Sequence, residues 1–236
     1  MLKEYLKKDY LLMLFRSVVI FLLFNFSYIF QYIPLIIFNI SIDTVRESIP
    51  IQVLLSTFSS LIFFIILILV YRKDLIKEFK KFVSNGWNGF DTGFKCWIIG
   101  LGIMFSANLI LSVVFKSGGA DNENAVQSMI QALPIMMGLD VCLLAPFNEE
   151  IVFRKTLKDV IKNKFVFVVL SFLLFGGAHV VSTADNIVDW LYIIPYGALG
   201  ASFAYAYYKT DSVFTSMSLH MIHNTLVFLL SVFVRL

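Results

Sequence analysis

Residues 51–71, IQVLLSTFSSLIFFIILILVY, run for 21 positions without a charged side chain and end at Arg72-Lys73. A helix of about 20 apolar residues, rising 1.5 Å per residue, matches the roughly 30 Å hydrocarbon core of a bilayer. Lipid offers the backbone no hydrogen-bond partner, so such a stretch has to satisfy its own peptide groups as a helix. Similar apolar blocks stand at 14–38, 96–115, 132–155, 165–181, 187–208 and 213–234. They account for a chain of 236 residues that is 59% hydrophobic, with mean hydropathy +0.83, where soluble domains hold about 45 to 50% apolar residues. The blocks are too long for barrel strands, so the expected class is all-α and polytopic, with about seven transmembrane helices in one domain over 1–236.

The first block is unusual. From Tyr10 to Ser41 only Arg16 is charged, which exceeds one span, falls short of two, and is far longer than a signal-peptide core. No A-x-A-like cleavage site follows, so a retained first helix that tilts or begins at the interface is expected.

Basic residues stay on the cytoplasmic side of a membrane protein. Sixteen of the nineteen Lys and Arg fall on the N-terminus and alternate connections, whereas Arg46, Lys116 and Arg235 fall opposite. The N-terminus is therefore expected inside the cell. In the first cytoplasmic connection, RKDLIKEFKKFVSNGW, Leu75, Ile76, Phe79, Phe82 and Val83 recur at helical intervals among lysines. It reads as a basic amphipathic helix on an anionic leaflet. The outer segment KSGGADNENAVQS reads as a polar loop. Cys96 and Cys142 sit singly in apolar blocks and read as small core side chains. Gly197 with Ala201, and Gly200 with Ala204, give a small-residue packing face.

Charged side chains inside the bilayer cost about 2.5 to 3.5 kcal/mol each, so those present need a partner or a task. Block four holds Asn148, Glu149, Glu150 and Arg154, with Asp140 and Pro146 before them; block five holds His179 after Gly176-Gly177; block seven holds His220, His223 and Asn224. Glu150 and Arg154 are four apart and share a helix face, so they are expected to pair. Glu149 is turned about 100° away and faces something else. His220 and Asn224 stack one turn apart. Pro146 cannot donate to the carbonyl of Cys142, so the helix should kink or loosen just before the glutamates. At 1.5 Å per residue, Glu149 lies about 8 Å from Arg154, and His220 and Asn224 about 12 and 18 Å into block seven. The groups reach one depth best if Arg154 is itself buried against Glu150. The double glycine offers a place for block five to bend.

The sets E-E-x-x-x-R (Glu149, Glu150, Arg154), F-x-x-x-H (Phe175, His179) and H-x-x-x-N (His220, Asn224), in this order on late helices, resemble the CAAX protease and bacteriocin-processing family, the CPBP or Abi group of intramembrane proteases. The resemblance covers about the last hundred residues, which implies a catalytic core at about 130–236. It implies peptide-bond hydrolysis within the bilayer, with Glu149 and His179 activating a water, His220 and Asn224 stabilising the oxyanion, and Arg154 partnering Glu150. It further implies a substrate that is a small peptide precursor or a membrane-anchored protein, in a bacterial plasma membrane, with pheromone or bacteriocin peptides ahead of prenylated ones. No nucleic-acid partner is expected. The sequence lacks H-E-x-x-H, so a metal-free glutamate mechanism is favoured, with zinc on Glu149, His179 and His220 as the alternative. Two other functions stay open: a non-catalytic immunity or signalling scaffold, and a transporter using Asp140, Glu149 and the histidines as a proton relay.

Overall fold

The computed structural model describes residues 8–116 and 119–233. Lys3, Lys7 and Arg235, counted above for orientation, and Ser117 and Gly118 of the outer segment lie outside that range. Among the described residues all regular structure is helical. In chain order the α-helices are α1 (Lys8–Asn25), α2 (Tyr32–Ile37), α3 (Ile42–Glu47), α4 (Ile49–Phe115), α5 (Asp121–Ala132), α6 (Pro134–Leu139), α7 (Ala145–Glu150), α8 (Thr156–Val160), α9 (Lys164–Val180), α10 (Ile187–Leu191), α11 (Ile193–Thr210) and α12 (Val213–Phe233). Among the described residues three stretches are long and apolar enough to cross a membrane: Ile49–Phe115, Ile187–Thr210 and Val213–Phe233. The helices Asp9–Asn25 and Ser27–Ile37, bent by 56°, make a fourth when taken as one span. The chain is an all-α membrane protein.

Local chemistry explains where these elements depart from the sequence reading. The long first block breaks at Phe26, whose φ of −105° and ψ of 12° leave the helix, just after the Asn25 side chain donates to Phe21 O at 2.7 Å. Such back-bonding competes with the helix ladder. Blocks two and three both fall inside α4, which is interrupted only at Gly86 (φ 50°, ψ −138°), a conformation open to glycine. The basic connection is thus a helical continuation of the apolar one. Its apolar residues divide: Leu75 is buried, while Ile76, Phe79 and Val83 are exposed. Most of the outer polar segment forms α5 rather than a loop, with Asp121 and Glu123 in its first turn, where acids favour the helix dipole. Block five is one continuous helix: α9 passes through Gly176 and Gly177 without a break.

The chain divides into two compact units. The first takes Met1–Lys73, Met129–Lys162 and Asn224–Leu236. Its centre is the helical run from Pro134 to Val160, packed on α1 through Phe153 against Phe24 (5.2 Å, edge-on) and on the start of α4 through Phe147 against Phe64 (4.5 Å). Lipid tails are as apolar as these rings, so polar contacts between helices carry much of the specificity, at about 0.6 kcal/mol each on average. The unit has several. Ser17 Oγ donates to Thr156 O at 3.2 Å, Arg16 pairs with Asp159 at 2.8 Å and lies 4.2 Å above the Tyr71 ring, and Lys155 also pairs with Asp159.

The second unit takes Asp74–Ser128 and Asn163–His223. Here α9 and α11 approach through glycines: a Cβ on Gly176 would stand 2.6 Å from Ile193 O, one on Gly197 2.7 Å from the Phe172 ring, and one on Gly200 3.0 Å from Phe175 Cβ. The expected small-residue face is therefore a packing face at Gly197 and Gly200, with Ala204 fully buried. Trp97, Leu199, Phe203 and Leu219 form one core cluster of this unit, and Leu111, Ala120, Val180 and Tyr192 another.

Candidate active site

The carboxylates lie in the first unit, on a helical run that changes register twice. Residues Asp140–Leu144 form a π-turn in which the Ala145 N–H donates to Asp140 O. The next donor in that register would be residue 146, to Val141 O. It is a proline, so the carbonyl goes unserved by its own helix. Asn224 Nδ2 fills the gap, donating to Val141 O at 3.0 Å. The loosening expected before the glutamates is thus a π-turn, and the released carbonyl is that of Val141 because the bonds there run i to i−5.

Past the proline, Asn148 donates to Ser60 O at 3.0 Å and Ser60 Oγ at 3.2 Å, fixing the run on α4. Glu150 and Arg154 are both 0% exposed and meet at 3.3 Å. This is the condition set by the depth argument. A fully buried pair balances charges that would each be costly alone. Glu149 is only partly buried, on a neighbouring face of the same turn. A second π-turn, Ile151–Lys155, follows directly. Lys155, read from sequence as a flanking cytoplasmic charge, is 4% exposed and faces Tyr71 and Asp159. Its i, i+4 spacing from Asp159 was the available signal, and Arg16, the lone charge of the first block, was the other.

The imidazoles lie in the second unit. His179 Nδ1 is 2.8 Å from Phe175 O, one turn back on α9. A carbonyl only accepts, so Nδ1 carries the proton, and whenever the ring is neutral Nε2 is its acceptor nitrogen. The Phe175 ring lies 4.5 Å from His179 and 5.7 Å from His220. Tyr196 stacks on His179 at 4.6 Å, and Phe203 stacks on His220 at 4.9 Å. One phenylalanine therefore orders both histidines, by ring and by carbonyl, which gives the F-x-x-x-H spacing a physical content. Tyr196 and Phe203, in an apolar span, carried no sequence signal of this role. His220 is 3% exposed, and His223, off this face, lies against Trp97 at 6.3 Å. Of the four residues expected to be catalytic, Glu149 and Asn224 belong to the first unit and His179 and His220 to the second. Among the described residues no three His, Cys, Asp or Glu side chains form a group that could hold a metal ion.

Comparison with known proteins bears on the same segment. Residues 131–226 match the family described as Type II CAAX prenyl endopeptidase Rce1-like. The matched segment contains all three motif sets, from Glu149 to Asn224, so the resemblance read from them is shown. The chain is 28% identical over 131 residues, 52% of its length and 50% of the relative's, to the Bacillus subtilis (strain 168) protein named "Putative membrane peptidase YdiL". It is 26% identical over 133 residues, 54% of its length and 49% of the relative's, to "UPF0177 protein YvdC" of Lactococcus lactis subsp. lactis (strain IL1403). The chain thus spans about half the length of the curated relatives it matches. No solved structure matches it.

Proposed function

We propose that this chain is an intramembrane endopeptidase that hydrolyses a peptide bond of a small peptide precursor or a membrane-anchored protein. The observation that carries the reading is the Rce1-like match, which spans every ionisable group of the candidate site. Glu149 is the general base: it takes a proton from a water hydrogen-bonded by His179, and the water oxygen attacks the scissile carbonyl carbon. His220 and Asn224 donate to the resulting oxyanion. A primary amide has two N–H donors, so Asn224 keeps one for the oxyanion while the other serves Val141 O. Collapse of the tetrahedral species breaks the C–N bond, and the leaving amine takes the proton held by Glu149. Glu150, committed to Arg154, is a supporting group. The route is metal-independent, with zinc on Glu149, His179 and His220 as the alternative that exhaustive chelation would expose.

The proposed setting is the plasma membrane of a bacterium, with the N-terminus cytoplasmic and seven spans, two of them supplied by α4 on either side of its basic stretch. The two bacterial relatives and the basic-residue asymmetry support this. The test is the purified protein in lipid nanodiscs, incubated with a panel of short peptides and lipidated peptides and read by mass spectrometry of new termini. Glu149→Gln and His179→Ala should reduce cleavage at least about 100-fold, and Asn224→Ala by about 100- to 1,000-fold in kcat, as for loss of one oxyanion donor. Cys142→Ala should cleave normally. Undiminished cleavage by Glu149→Gln would defeat the mechanism.

A further inference from the structure

The second unit holds a buried carboxylate that the proposed reaction does not use. Glu78, 9% exposed, stands on α4 and accepts hydrogen bonds from Tyr207 Oη at 2.8 Å and from the backbone N–H of Val213 at 2.8 Å. Ser212 Oγ donates to the Glu78 carbonyl at 2.9 Å. Val213 is the first residue of α12, so the carboxylate satisfies one of the four N–H groups that a helix start leaves open and meets the positive end of its dipole.

Glu78 is one of three residues on a single face of α4, at i, i+3 and i+7, that grip the α11–α12 turn. Lys81 pairs with Asp211, and Asn85 Nδ2 donates to Thr210 O at 2.7 Å. Asp211 is left-handed, φ 53°, which closes α11 tightly and points the chain into α12. Above the turn, α4 runs against α12 closely enough that a Cβ on Gly93 would stand 2.7 Å from Thr215 Cγ2 and 2.8 Å from Leu219 Cδ1.

His220 lies seven positions beyond Val213, about 10 Å along the helix. Of the rings around His220, Phe203 stacks on it and Phe175 meets it edge-on, and ring contacts of this kind are each worth only about 0.5 to 1.5 kcal/mol. A carboxylate bound to a backbone N–H has a defined distance and direction. We propose that Glu78 is a positioning residue for the peptidase reaction, fixing the height and rotation of α12 and so the place at which His220 presents its imidazole. This rests on the oxyanion role proposed for His220.

The test uses the full chain in nanodiscs, as wild type, Glu78→Gln, Glu78→Ala and Tyr207→Phe. Amide hydrogen exchange over residues 213–220 and the ring signals of isotope-labelled His220 are read beside cleavage of the peptide that the wild type cuts best. In Glu78→Ala, exchange at the start of α12 should speed by about tenfold or more, and the His220 signals should move. Its kcat should fall about 10- to 100-fold, as for a small misplacement of a catalytic group, with KM nearly unchanged. Glu78→Gln, which keeps one acceptor, should recover part of each effect, and Tyr207→Phe, the variant least able to disturb folding, should change them in the same direction by less. Unchanged exchange and His220 signals in Glu78→Ala would overturn the clasp. A looser α12 with unchanged kcat would overturn its part in the reaction while leaving the peptidase reading intact. A wild type that cuts none of the panel defeats the peptidase reading and this proposal with it, and that result is read without any Glu78 variant.

Discussion

Pro146 shows how one missing N–H reaches a distant side chain. Its imino nitrogen leaves Val141 O to be served by Asn224, so the proline and the asparagine form one device. Pro146→Ala returns the donor, which should raise or preserve thermal stability, since an interior proline costs about 3 kcal/mol. It should also lower cleavage, because Asn224 loses the competition for its anchor; thermal unfolding and turnover measured on the same sample check both, and unchanged turnover would separate the two residues. The Glu150–Arg154 pair makes an equally specific demand. Arg154→Met strands a buried carboxylate and should cost about 3 to 5 kcal/mol, whereas Glu150→Gln with Arg154→Met should recover much of it. Unfolding midpoints of the single and double variants decide this. The sequence made the pair and the proline visible through spacing alone. It could not show which carbonyl the proline frees, because that depends on a π register set by packing, nor that Phe175 touches both imidazoles, because ring contacts between helices leave no local pattern.

Adjacent glycines in α9 carry opposite expectations. Gly176 faces Ile193 O, with 2.6 Å left for a Cβ, while Gly177 faces open space. Gly176→Ala should destabilise by about 1 to 3 kcal/mol through overpacking and, lying three residues before His179, should reduce cleavage. Gly177→Ala should be neutral or stabilising by up to about 1 kcal/mol. Calorimetry or a thermal-shift series in nanodiscs checks the contrast, and equal losses would mean that the pair acts as a hinge after all. The helices themselves were legible as apolar blocks: α9 and α12 begin and end within a residue of the sequence reading, while block six is α10 followed by α11. What was not legible is how blocks join. The amphipathic stretch after residue 71 could have turned away from its span, and its continuity in α4 follows from the absence of any breaker before Gly86. The helix α5 was hidden by a polar composition that reads equally as loop.

For the whole molecule, the account requires the basic segment of α4 and the Arg46 segment to face opposite compartments. On a background with Cys96 and Cys142 replaced by alanine, a cysteine at Lys80 should react with an impermeant maleimide only in inverted vesicles, and one at Arg46 only in intact cells. The reverse result would invert the proposed orientation. The proposed mechanism uses Glu149 and the imidazoles alike, so a single carboxylate change should silence the protein as fully as a single imidazole change. The most direct measurement is a quantitative peptidome of cells and medium, comparing the native chain with Glu149→Gln expressed at equal level. The account predicts a defined set of cut termini that vanish in the variant. An identical set of termini in both strains across several growth conditions would contradict it.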